Sequence, residues 1–444
     1  MTKNNTKKLI AEVIPAVKLP REIAQFFSYG VPVDLQKDIQ IGSVVEISFR
    51  KKNIFGVVYK LSSSMESEIK FKLKDINKVA VDLPRLSSKQ IKLAEFVSSY
   101  YYSPLSLVIK TIIPTPAKNK ARKDPELNLD VKIPATDKAI AEKVLANIGN
   151  NDLLIQDLDP SRLSLYLEII KKQIKNGKQA LLLFPESFDI YNFANFYIQN
   201  LGKENVSILT SEMTVSQYFN EWNKVNNGSA KLVIGTRQAV FAPFKDLKLV
   251  IADCEHSSSY KQWDMNPRYH GIKIAKELAG LWKAKIILSS PAPSIESYKD
   301  STDKRISAIN ILQKNKGKKT EIIDMNTERK RGNFSSLSED LKNYLLENIY
   351  RKKQAIIFIP RLGGNTVTKC KDCEFIAECP DCKNVLITLN NDLYCTRCKK
   401  RIEQITKCPS CRGQNITSFG YGAEKVEKEI ERLFENKNIG IGRL

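Results

Sequence analysis

Eight of the nine cysteines lie between residues 370 and 411, in four Cys-x-x-Cys pairs: Cys370/Cys373, Cys379/Cys382, Cys395/Cys398 and Cys408/Cys411. Two thiolates at this spacing sit on one tight turn and grip a metal ion from two sides. Zinc favours four such sulfurs in a tetrahedron, so eight thiolates make two closed sites. The pairs nest. Cys379/Cys382 and Cys395/Cys398, about a dozen residues apart, fit a small ribbon hairpin, which leaves Cys370/Cys373 and Cys408/Cys411 to meet at its base. A disulfide cluster is the competing reading. It needs an oxidising compartment, and the opening Met1-Thr2-Lys3 carries no apolar signal core. A closed four-cysteine site offers no position to water, so two Zn²⁺ per chain are expected as staples and not as catalysts.

A chain of 444 residues predicts about two to four domains, each with its own core. No apolar run reaches the ~18 residues that span a bilayer, which predicts a soluble, cytoplasmic protein with no membrane partner. Lys and Arg number 71 against 49 Asp and Glu, a formal charge of +22. An excess of that size points to a polyanion, nucleic acid first; a Lys-rich proteome is the bland alternative. Two histidines argue against a His-based active site.

Along the chain, Ile10 to Lys60 alternates apolar residues with turn signals. Phe26 to Pro32 reads as an aromatic strand, and Val44–Phe49 and Phe55–Tyr59 as a hairpin around the basic turn Arg50-Lys51-Lys52-Asn53. Ser87 to Gln90 starts a helix that runs to Tyr102 and is closed by Pro104. Pro114 to Pro134, rich in Lys, Pro, Ala and Asn, reads as a linker. The pattern then turns to α/β. Runs at Ala180–Phe184, Val206–Leu209, Lys231–Ile234, Leu249–Ala252 and Lys285–Leu288 alternate with amphipathic helical stretches, as βαβ units of a parallel sheet do. Gln354–Ile359 reads as the first strand of a second such unit, into which the cysteine modules are inserted and which resumes at Ile416.

Several stretches, in one order along nearly the whole chain, resemble the primosomal protein N′ (PriA) family of bacterial replication-restart helicases. Gly235 to Phe244 is similar to the family's GTR-containing run, and Asp253-Cys254-Glu255-His256 stands where the family carries DEEH. Ser259 to Gln262 with Pro267 to His270 resembles its aromatic-rich loop. Pro293 to Ser297 resembles the end of its third helicase motif, and Gly420 to Glu424 its GxGTE. Phe27-Ser28-Tyr29 with Val31-Pro32, and Tyr101 to Leu105, look like its 3′-end-binding domain. The resemblance implies a small α+β DNA-binding domain at 1–113, a linker at 114–133 and a RecA-like superfamily 2 lobe at 134–305. A partial second RecA-like lobe follows at 306–367 and 415–444, carrying a paired zinc module at 368–414. It also implies DNA as partner, together with primosome proteins, single-strand-binding protein and the replicative helicase, and a nucleoid-associated place of work.

The departures from the family bear on activity. Its phosphate loop ends Gly-Lys-Thr, because backbone N–H groups cradle the phosphates and the Lys reaches them. Here Gln156 to Tyr166 holds no glycine, Asp157 and Asp159 replace phosphate-binding groups, and Leu163 replaces the Mg²⁺-binding hydroxyl. Arg162 remains as a cation and Asp253 as a Mg²⁺ ligand, but Cys254 stands where a Glu orients the attacking water, with Glu255 and His256 beyond it. The third motif reads Ser289-Ser290-Pro291-Ala292, and the sequence stops before the fifth and sixth. ATP and Mg²⁺ binding are therefore not expected, and Arg162, Asp253, Glu255 and His256 mark a degenerate nucleotide site.

The expected DNA contacts are Phe27 and Tyr29 by stacking, Arg50 and Lys74 on phosphates, and Tyr260, Lys261, Trp263 and Arg268 on a loop platform. Lys369, Lys371, Lys383, Arg397, Lys399, Lys400, Arg401 and Arg412 add charge around the cysteines. The expectation is a DNA-binding protein of replication restart that recognises forked or single-stranded DNA without helicase activity. The alternatives are an active ATP-dependent 3′–5′ helicase, with Arg162 and Glu255 compensating, and a zinc-stapled protein–protein adaptor.

Overall fold

In a computed structural model the chain divides into two compact units, residues 1–315 and 316–444. The structure describes residues 7–65, 73–81, 83–114, 132–148, 152–156, 161–175, 177–311, 320–360, 367–389, 392–435, 440 and 442. The expected linker falls almost wholly outside them, as does the turn 157–160.

The first unit opens with five strands: β1 (Lys7–Pro15), β2 (Phe27–Gly30), β3 (Val44–Phe49), β4 (Lys52–Met65) and β5 (Lys74–Val79). They close into a barrel in the order β1-β2-β5-β3-β4. Alternate residues Val45, Ile47, Val58 and Ile76 point inward and are buried, as period-2 patterning requires. In the β3–β4 hairpin Phe49 faces Lys52, so Arg50 and Lys51 alone make the turn, with φ of 45° and 63°. Positive φ at both central residues matches the twist of a two-residue hairpin, at a cost for residues other than Gly or Asn. The result is a cationic tip.

Helix α1 (Ser88–Tyr100) starts where predicted. Ser87 accepts from the backbone N–H of Gln90, and the Gln90 side chain accepts from that of Ser87, a reciprocal capping box. Helix α2 (Leu105–Ile112) follows Pro104.

The second part of this unit is a seven-stranded sheet built from β6 (Leu153–Gln156), β7 (Gln179–Leu183), β8 (Val206–Leu209), β9 (Leu232–Gly235), β10 (Leu247–Ala252), β11 (Lys285–Ser289) and β12 (Ser307–Asn310). Their order is β12-β6-β11-β10-β7-β9-β8, and every pair is parallel. Helices α3 (Lys138–Ile148), α4 (Arg162–Ile174), α5 (Ser187–Leu201), α6 (Val215–Asn227), α7 (Gly271–Trp282) and α8 (Ile295–Thr302) connect the strands. The continuous apolar runs arise because both sheet faces are covered: Leu181 and Val250 enter one core, Leu182 and Ile251 the other. The first of these cores runs on into Val97 and Val108 of α1 and α2, joining the barrel's helices to the sheet. Strand β12 pairs with β6, so the lobe extends past the boundary expected at residue 305.

In the second unit, helices α9 (Met325–Lys330) and α10 (Glu339–Tyr350) precede the cysteine region and α11 (Ala423–Leu433) follows it. Gln354–Ile359, expected as a buried strand, pairs with no strand among the described residues. Ile356 and Phe358 are exposed. An apolar run becomes a strand only where a neighbour takes up its backbone N–H and C=O groups. Among the described residues no helix is long and apolar enough to cross a membrane.

Candidate functional site

In an open parallel sheet, function gathers at the carboxyl ends of the strands, where the order of connection reverses. Here β6, β10 and β11 end side by side, followed by α4, by Asp253 to His256 and by Ser290. The close approach of strand ends to the next element is visible at Gly235, where a Cβ would lie 2.4 Å from that of Ala239 and 2.6 Å from the carbonyl oxygen of Leu209.

Asp253 is buried, and both its oxygens are taken by the protein. Arg162, at the first turn of α4, donates through Nε to Oδ1 (2.8 Å) and through Nη2 to Oδ2 (2.9 Å), a bidentate pair. The phenol of Tyr166, one helical turn on, also donates to Oδ1 (2.8 Å). Burial alone would lower the Arg162 guanidinium's affinity for its proton; the hydrogen bonds and charge of Asp253 outweigh that and hold the group above its ordinary value. Asp253, the expected Mg²⁺ ligand, is thus satisfied by two side chains of α4, Arg162 and Tyr166. Nothing in the sequence marks Tyr166 as its second partner; the two are 87 residues apart.

Cys254 has φ of 48°, and burial followed by the charge of Asp253 pushes its thiol up to about 12. It stays an uncharged thiol at neutral pH. Glu255 is buried and accepts from Ser294 N (2.7 Å), Ser294 Oγ (2.8 Å) and Ser297 Oγ (3.0 Å) at the start of α8. It anchors a helix terminus. His256 Nδ1 lies 2.6 Å from Ser290 Oγ, which ties the end of β10 to the end of β11.

The expected DNA contacts divide. Tyr29 is buried in the barrel with its hydroxyl donating to the Ser48 carbonyl (3.3 Å), so it does not offer a stacking face. Its strand alternates, and inward is the side that residue 29 takes. Phe27 is half-buried, edge-on to Phe49 at 5.0 Å, with the Arg50 guanidinium 5.6 Å from the Phe49 ring. Lys74 is exposed and sits opposite Tyr29 in the β2–β5 register. Tyr260 is also buried, its hydroxyl donating to the carbonyls of Asp253 (2.7 Å) and Leu183 (3.0 Å), and it packs the lobe. The rest of that loop is a small hairpin closed by Gln262 N donating to Tyr269 O (2.8 Å). Trp263 is 67% exposed and Arg268 is exposed at its surface, while Lys261 Nζ donates to the Arg268 carbonyl (2.6 Å).

The cysteines assemble as two groups, Cys370, Cys373, Cys408 and Cys411, and Cys379, Cys382, Cys395 and Cys398. Each pair repeats one turn: the residue after it (Glu374, Lys383, Lys399 or Arg412) has φ near 60°. The inner pairs are bridged by the hairpin β14 (Ile387–Leu389) and β15 (Asp392–Tyr394), with the short β16 (Arg401–Ile402) beside it. The outer pairs are held at its base by β13 (Val367–Cys370) on β17 (Ile416–Phe419). Sulfurs of different pairs are 3.4 to 3.7 Å apart. A disulfide needs about 2.05 Å, and the corners of a tetrahedron with 2.3 Å metal–sulfur bonds lie about 3.8 Å apart. The backbone N–H of Cys398 leads in pulling the Cys395 thiol down to about 6, and that of Cys411 in pulling Cys408 down to about 7. Both groups can hold a metal ion.

Residues 16–114, which include most of the barrel and helices α1 and α2, match the PriA 3′DNA-binding domain (3′BD) family. The replication restart protein PriA of Rickettsia conorii is 29% identical over 441 residues, covering 96% of this chain and 66% of its own length. That of Bacillus subtilis is 30% identical over 281 residues, covering 62% of this chain and 34% of its own. The Pyrococcus furiosus Hef helicase domain overlaps 39% of this chain and 38% of its own, with 19% identity and a TM-score of 0.31, a slight likeness. With the barrel domain matched and the similarity running through the parallel lobe to the cysteine modules, the chain is similar over nearly its whole length to the replication restart protein PriA family.

Proposed function

We propose that this chain is a DNA-binding protein of replication restart that recognises forked or single-stranded DNA and does not hydrolyse ATP. One observation carries the reading: the Arg162 guanidinium occupies both oxygens of Asp253, the carboxylate that a nucleotide-bound Mg²⁺ would need. Cys254, held as a thiol, supplies no anion to orient water. The basic tip Arg50-Lys51, with Phe27, Lys74 and the loop of Lys261, Trp263 and Arg268, offers DNA cations and ring faces. Both cysteine groups hold Zn²⁺ in this reading, four thiolates being the donor set that metal favours. Partners at the restarting fork, by likeness to the family, are primosome proteins, single-strand-binding protein and the replicative helicase, and the place of work is the cytoplasm at the nucleoid.

The test pairs two assays on the full chain. Fork DNA should bind with an affinity that falls steeply with salt, and ATP turnover should stay at background with single-stranded DNA present. DNA-stimulated turnover would restore the helicase reading; no fork binding at low salt would end the DNA reading.

A further inference from the structure

The amino ends of the parallel strands form the edge of the sheet opposite Asp253, and lysines crowd it. Lys178 stands immediately before β7, Lys245 and Asp246 immediately before β10, and Lys283 two residues before β11, whose first residue is Lys285. Strand β10 lies between the other two and pairs Leu247 with Gln179 and Leu249 with Lys285, so these side chains start from neighbouring strand ends about 4.8 Å apart. Asp246 is shared by Lys178 Nζ (2.5 Å) and Lys248 Nζ (3.5 Å). A second carboxylate, Asp152 ahead of β6, accepts from the Ile286 backbone N–H (3.1 Å). Lys89, the second residue of α1, reaches the same edge, its Nζ 3.5 Å from the centre of the Trp282 ring at the end of α7. Among the described residues, Lys89, Lys245, Lys283 and Lys285 form no ion pair. Burial, then the charge of Lys248, lowers the affinity of Lys89 for its proton, and Lys283 adds to the effect. The two carboxylates do not balance these lysines.

We propose that this lysine edge, built by Lys89, Lys178, Lys248 and Lys283 with Lys245 and Lys285 beside them, takes the sugar–phosphate backbone of a duplex arm. The proposal rests on the DNA-binding reading above and adds to it a second surface, at the far end of the sheet from Asp253. The chemistry selects the ligand. Trp282 is 7% exposed and lies under Lys89, so the edge presents ammonium groups and no ring face on which an unpaired base would stack. Duplex DNA hides its base faces and carries one negative charge per about 1.7 Å of axis, the density that a row of cations meets best. Phosphates also relieve the repulsion among Lys89, Lys248 and Lys283. The competing role for these lysines is internal: Lys283 caps the carboxyl end of α7, and cations at helix carboxyl ends complement the macrodipole. That role predicts lost stability without lost binding, which separates the two.

The experiment measures binding of the full chain to a labelled blunt duplex and to oligo(dT) of equal length, by fluorescence anisotropy at several salt concentrations. Lys245→Gln, Lys283→Gln and Lys285→Gln together should flatten the salt slope for the duplex by about 2.7, three phosphate contacts, and leave oligo(dT) binding within about twofold. Arginine at the same three positions keeps the charge and should keep the slope. Lys110→Gln, Lys138→Gln and Lys143→Gln, which remove as much charge from exposed sites on α2 and α3, should leave it unchanged. On the unsubstituted protein, duplex but not oligo(dT) should shield Lys283 and Lys285 from an amine acetylating reagent, mapped by mass spectrometry. An unchanged duplex slope in the triple glutamine variant, alongside intact fork binding, would overturn the edge and spare the DNA reading. So would an equal flattening by the α2 and α3 control, or a fall in urea midpoint with no loss of duplex binding. Shielding by a poly-glutamate peptide and not by duplex would assign the edge to an acidic protein and overturn the proposal as well. Failure of the unsubstituted protein to bind any DNA would end both readings.

Discussion

Replacing Arg162 by Met keeps the aliphatic stem and removes the guanidinium. Asp253, whose side chain is 3% exposed, would be left with the phenol of Tyr166 and the weak thiol contact of Cys254 as partners. Removing one member of a buried ion pair costs about 3–5 kcal/mol, against ~0–1 kcal/mol for an exposed pair. The Arg162 side chain keeps 17% exposure, so the low end, about 3 kcal/mol, is expected. With a urea slope of about 3 kcal/mol/M for a domain of this size, the unfolding midpoint should fall by about 1 M. All three tryptophans, Trp222, Trp263 and Trp282, lie in the first unit, so intrinsic fluorescence follows that unit alone. Arg162→Met with Asp253→Leu should recover most of the loss, because an apolar pair of similar volume removes the stranded charge. Millimolar Mg-ATP should leave the midpoint of the unsubstituted protein unmoved, whereas a ligand at a hundred times its Kd adds about 2.7 kcal/mol. A midpoint shift under about 0.3 M, no recovery in the double variant, or stabilisation by Mg-ATP would each refute the filled-pocket argument.

Metal analysis should return about two zinc ions per chain, and chelation should unfold residues 316–444, read by proteolysis, while the fluorescence transition of the first unit persists; unchanged resistance after zinc removal would contradict the staple role. Cys254, pushed up to about 12, should alkylate on the order of a thousandfold more slowly at pH 8 than an ordinary thiol, mapped by mass spectrometry against the unfolded chain. Burial, then the nearby Lys261, lowers the affinity of His270 for its proton. The unfolded state therefore takes up that proton first, so this contribution is complete above about pH 6.5 and is lost as pH falls below it. His270→Gln should flatten the decline in first-unit stability between pH 7 and 5.5, and an identical decline in the variant would refute the assignment.

Local chemistry was legible wherever the chain carries its own constraint. The four Cys-x-x-Cys pairs prescribe four identical turns, and their nesting follows from chain length, since the short stretch between Cys382 and Cys395 can only fold back as a hairpin. The capping residues of α1 and the apolar runs of the parallel sheet are local for the same reason. The edge strand β12 and the unpaired Gln354–Ile359 were not legible, because a strand is defined by its neighbour.

The same limit separates the two aromatic predictions. Tyr29 and Tyr260 look, in sequence, as available as Trp263, but one turns into the barrel and the other under the sheet. Only the packed structure says which face a ring takes. The absence of glycine between Gln156 and Tyr166 is written in the sequence; that Arg162 reaches across to Asp253, with Tyr166 beside it, was decided by bringing α4 over the end of β10. Sequence determines which groups exist and what their neighbours in the chain allow. Tertiary structure decides which charges meet, because a buried carboxylate must find a partner wherever the fold supplies one.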